Sequence, residues 1–131
     1  MNTRLRTRFL LAAMLAGTFT AAQAAGPATY RCGGIGTDES QQMKADARNH
    51  SMMLTFASAT GAYLADVTVD IRSAKGESVV SAKCSGPIML VDVPDAGTYQ
   101  ILAQYNGVGK QQALQAGPGK GASATFTWPA N

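Results

Sequence analysis

"TYQILAQYNGVGKQQALQA", Thr98 to Ala116, decides the class of the fold. Tyr99, Ile101, Ala103 and Tyr105 occupy every second position, so an extended chain places them on one face. Asn106-Gly107 is a hairpin signal, because a tight two-residue turn needs positive φ at both positions. "KQQALQA" then returns, and the stretch predicts two antiparallel strands.

The same grammar extends in both directions. Upstream, "YLADVTVDIRS" sets Val67, Val69 and Ile71 on one face and Asp66, Thr68, Asp70 and Arg72 on the other, the pattern of a half-buried strand. "SMMLTFA", "SVVSAKC" and "IMLVDV" read as further strands, with "AKGE", "SGP" and "PDAG" as breaks, and "ASATFTW" follows the glycine-rich "GPGKG". Seven strands spaced by turn chemistry, over about residues 52–128, predict a mainly β, seven-stranded antiparallel sandwich. One short helix is predicted near the N-terminus, over about residues 38–49. There "DESQQMKADARN" carries acids in its first turn, with Asp38 and Gln41 in a capping arrangement. Met43 and Ala47 form only a thin apolar stripe, so this helix lies on a surface.

The first 24 residues read as a signal peptide: Arg4, Arg6 and Arg8 precede a short apolar run, and Ala22-Gln23-Ala24 offers a cleavage point after Ala24. The apolar run is too short to span a bilayer, so no membrane anchor is expected once it is cut. Of 131 residues, 107 remain, a single domain spanning 25–131. Eight Lys/Arg then balance eight Asp/Glu. The basic character belongs to the leader, and no clustered positive charge is left for nucleic acid. The expected destination is the periplasm or the exterior, where an even pair of cysteines, Cys32 and Cys84, favours one disulfide. Two free thiols acting as a redox pair would need a C-x-x-C spacing or a neighbouring base, and neither is visible.

"VPDAGTYQILAQYNGVGKQQALQAGPGKGASATFTW" resembles the Pro-x-x-Gly-Thr-Tyr block of carboxypeptidase regulatory-like domains, which have a prealbumin-like (transthyretin-like) fold. "GGIGTDE", "GAYLADVTVDIRSAKG" and "SGPIMLVDVP", in that order, resemble a group of small exported bacterial proteins with that domain. The resemblance spans Tyr30 to Trp128. It implies a β-sandwich and no peptidase activity, since in carboxypeptidases this unit accompanies a separate zinc domain. Hydrolases of related fold end in a Tyr-Arg-Gly-Ser type sequence, whereas this chain ends "TFTWPAN".

The residue inventory offers little to catalysis. His50 is the one histidine, against the three ligands that a catalytic zinc requires. No G-x-S-x-G elbow accompanies it, and its place at a helix C-terminus suits the dipole. "GPGKG" lacks the Ser or Thr of a phosphate loop, and in "CGGIGTDE" Asp38 and Glu39 already occupy the positive end of the helix. No catalytic, metal or cofactor residue is therefore assigned, and no cofactor is expected. Met52, Met53, Tyr63, Met89 and Trp128 are expected in the core; any exposed together would mark a docking patch. The resulting expectation is a monomeric or weakly associating, non-enzymatic interaction or accessory module of the bacterial envelope with a protein partner. A small-molecule or glycan binding module is the alternative, and a hydrolase ranks last.

Overall fold

The computed structural model of the protein describes residues 27–130. The expected signal peptide lies outside them. Eight strands form two four-stranded sheets. They are β1 (Thr29–Gly33), β2 (Met52–Ser58), β3 (Val67–Arg72), β4 (Ser78–Cys84), β5 (Ile88–Asp92), β6 (Gly97–Tyr105), β7 (Val108–Ala116) and β8 (Ala122–Trp128). Helix α1 (Thr37–Asp46) and a 3-10 turn (Ala47–Asn49) lie between β1 and β2. The first sheet has the order β1-β5-β2-β8 and the second β4-β3-β6-β7.

The strand periodicity works as the sequence predicts. Val67, Val69 and Ile71 of β3 are buried, as are Tyr99, Ile101 and Ala103 of β6, and they meet Met52, Leu54, Phe56, Met89 and Val91 of the opposing sheet in one core. Asn106 (φ 49) and Gly107 (φ 77) both take the left-handed conformation, and Tyr105 pairs with Val108 across that turn. Strand β5 reads as an uninterrupted apolar run because it is covered on both faces. Met89 and Val91 enter the core, while Ile88 and Leu90 pack against Met43 of α1.

The expected seven-stranded, wholly antiparallel arrangement is corrected in two places. The eighth strand is β1, which none of the seven predicted strands covers. It has five residues at a sheet edge and pairs with β5 alone, so its sequence carries no alternation long enough to read. The second correction is that β8 runs parallel to β2, from Met52 opposite Ala122 to Ser58 opposite Trp128. "GPGKG" accordingly carries the chain from one sheet to the other. Two boundaries also move. Strand β3 begins at Val67 because Asp66 has φ 64 and its N–H turns to the Cys84 carbonyl at 2.8 Å. The helix head carries no Asp38 cap: Gly36 is the N-cap residue, without a side-chain bond.

The sides of the sandwich are closed by different chemistry. Edge strands β1 and β4 are joined by the Cys32–Cys84 disulfide. On the opposite side, Gln112 of β7 donates to the Thr125 carbonyl at 2.7 Å, and the Trp128 indole donates to the Val108 carbonyl at 2.8 Å. These bonds satisfy carbonyls that an open edge would leave to a foreign strand. Trp128 also completes a cluster with Phe56, Phe126 and Tyr105, at centroid distances of 6.0–6.4 Å.

Candidate interaction surface

The stretch Gly33-Gly34-Ile35-Gly36 leads from β1 into α1 and is clamped from three directions. Gly34 has φ 91, and a Cβ there would meet the Ile88 side chain at 2.9 Å. From the side, Gly86 lies so close that a Cβ on it would collide with the Gly33 carbonyl. From above, the Glu39 carboxylate accepts the Gly34 N–H at 2.8 Å. The acid in the first turn of α1 therefore holds the turn before the helix, and with Asp38 it complements the helix dipole. A turn fixed in this way projects Ile35 into solvent, where 74% of it is exposed.

Tyr63 stands beside it. The "SATGAYLAD" connection is pinned to β2 by Ser58 N–H to the Ala62 carbonyl (2.7 Å) and Leu64 N–H to the Phe56 carbonyl (3.0 Å). Ala57 and Tyr63 form an isolated bridge. The phenol, half exposed, accepts a hydrogen bond from Lys44 Nζ at 2.7 Å. That bond, with smaller help from the Lys44 charge and Ser40, holds the Tyr63 hydroxyl below its ordinary pKa against a weaker opposing effect of burial. Ile35, Tyr63, Ser40, Gln41 and Lys44 line a shallow groove of about 250 Å³. An aliphatic side chain on a constrained backbone turn and an aromatic one tied by a hydrogen bond can be covered by a partner at low ordering cost.

The other expected core residues divide unevenly. Met52, Met89 and Trp128 are buried and Met53 is half-buried against the Ile88, Leu90 and Met43 cluster. Tyr63 is the one that turns outward, because its strand-like neighbours belong to a loop. Ile35 has no periodic context at all, and only its position between glycines signals a projecting turn.

His50 has a specific partner that spacing does not reveal. Its Nδ1 lies 2.9 Å from Asp92 Oδ2, and the Asp92 Oδ1 accepts the Ser51 N–H at 3.1 Å. Histidine, aspartate and serine are thus adjacent, yet the Ser51 hydroxyl is buried and engaged with the Val93 backbone, accepting its N–H at 2.9 Å. It is not presented to the imidazole as a nucleophile would be. The group is a clasp joining the end of the 3-10 turn to the end of β5. Asp70 is held by Ser78 and Arg72, and Asp66 shapes the entry to β3. Among the described residues no group of three or more His, Cys, Asp or Glu is placed to hold a metal ion. No family model matches this chain, and no curated protein matches it in sequence.

Proposed function

We propose that the chain is a non-enzymatic, exported β-sandwich module of the bacterial envelope that engages a protein partner through the Ile35/Tyr63 surface. The fold we infer at the finer level is the prealbumin-like one of carboxypeptidase regulatory-like domains. The observation that carries the functional reading is Ile35, an aliphatic side chain left in solvent on a turn that two glycine contacts and a carboxylate hold rigid. Exposed apolar groups on a rigid frame are what partner sites use as anchors. Export is favoured by the Cys32–Cys84 bridge, which suits an oxidising compartment. No helix among the described residues is long and apolar enough to cross a membrane.

The test is affinity capture from envelope extract with the mature protein as bait. One stoichiometric partner is expected, and its recovery should be lost in the Ile35→Ser/Tyr63→Ser variant while the melting temperature stays unchanged. Recovery that is indifferent to both substitutions would remove this surface from the proposal. A melting temperature raised by sugars or metabolites in the absence of protein would instead favour the small-molecule reading.

A further inference from the structure

A second concavity lies at the far end of the sandwich, between the β3–β4 turn and the β5–β6 connection, with a volume of about 230 Å³. Its apolar lining includes Val79, Pro94, Ala96 and the buried ring of Tyr99. The ring is fixed because its hydroxyl donates to the Asp95 carbonyl at 2.6 Å. The charged groups that line it are Glu77, Asp95 and Lys75. The ion pairs among the described residues are His50 with Asp92 and Arg72 with Asp70, so both carboxylates at the groove are free of a cation.

Three features define what fits. The volume is below the roughly 300–1,000 Å³ of sites for drug-sized molecules, so it suits one side chain better than a whole ligand. The lining is mainly apolar and carries two carboxylates against one ammonium. A side chain with an aliphatic stem and a cationic tip satisfies both, because lysine and arginine bury their methylenes and keep the charge at the rim. We propose that this groove receives a lysine or arginine side chain from an extended segment of a protein partner, with Glu77 and Asp95 holding the cation. The site shares no residue with the Ile35/Tyr63 surface.

Blocked pentapeptides with a central arginine, lysine, norleucine or glutamate between glycines test this by amide chemical-shift titration of the mature protein. The arginine and lysine peptides should shift the Glu77, Val79, Ala96 and Tyr99 signals, and added salt should weaken them. In the Glu77→Gln/Asp95→Asn variant, and in part in each single variant, affinity should fall about tenfold or more, which corresponds to about 1.4 kcal/mol. The amide spectrum shows whether each variant is folded. Equal binding of norleucine, preferential binding of glutamate through Lys75, no shift at millimolar peptide, or shifts unaltered in the folded variants would each overturn the proposal. The Ile35→Ser/Tyr63→Ser variant should bind these peptides unchanged, which separates a failure here from a failure of the surface at the helix head.

Discussion

Replacing both cysteines by alanine should cost this domain a large share of its stability, for a reason located mainly in the unfolded chain. Cys32 and Cys84 are 52 residues apart. Releasing a loop of that length returns about 4 kcal/mol of chain entropy to the unfolded state. Alanine is the appropriate replacement, since Cys84 is wholly buried and a serine there would add the penalty of a buried hydroxyl. Domains of this size are stable by roughly 5–15 kcal/mol, so the loss takes from about a quarter to about four fifths of the margin. At about 4–8 °C per kcal/mol, the melting temperature should drop by about 15–30 °C. Urea unfolding followed by circular dichroism measures the effect directly. The midpoint should fall, and the slope should rise, because a chain without the cross-link exposes more surface when it unfolds. A loss under about 1 kcal/mol with an unchanged slope would refute the reasoning. The β1 edge would then be held chiefly by its pairing with β5.

Four further outcomes follow from particular side chains. Ser51→Ala leaves the Val93 N–H without its partner in a buried position and should destabilise by about 1–3 kcal/mol in the same urea assay. Asp70 is held below the usual carboxylate range, first by the Ser78 hydroxyl and then by Arg72. Because the folded value lies below the unfolded one, this contributes stability above a pH of about 4 that is lost as pH falls through the folded value. Asp70→Asn should therefore cost under about 1 kcal/mol at neutral pH for a surface pair, and the two proteins should converge in strong acid; a constant difference at every pH would contradict the assignment. In an alkaline titration of phenol absorbance, Tyr63→Phe should remove a group ionising below the ordinary tyrosine range, as Lys44 lowers it. Tyr99→Phe should remove one ionising above that range, raised by burial and then by the Asp95 charge.

The sheets were legible wherever a strand had one face in the core and one in water. β3 and β6 show this plainly, since alternation of Val67, Val69 and Ile71, or of Tyr99, Ile101 and Ala103, follows directly from the pleat. β1 escaped because a five-residue edge strand has too few inward positions to make a pattern, and its disulfide partner lies in the other sheet. The parallel pairing of β8 with β2 was hidden for another reason. Alternation in "ASATFTW" states which side chains point inward, not which neighbour the strand will take or in which direction it runs. The helix shows a local rule replaced by a tertiary one: Asp38 and Gln41 spell a cap, yet Glu39 reaches back to Gly34 and no side chain caps the first turn. At the candidate surface, the glycines around Ile35 were visible and the lysine beneath Tyr63 was not, because 19 positions separate Lys44 from Tyr63. The His50–Asp92 clasp was beyond local reading in the same way, with 42 positions between its members.

Ile35 as a contact residue carries the proposed function. A photo-crosslinking amino acid placed at position 35, and separately at Gln111 on the outer face of the second sheet, tests this in the cells that make the protein. One discrete adduct is predicted from position 35, abolished by Tyr63→Ser, with none from position 111. Adducts of equal yield from both positions, or none from position 35 with the protein folded and exported, would contradict the central claim.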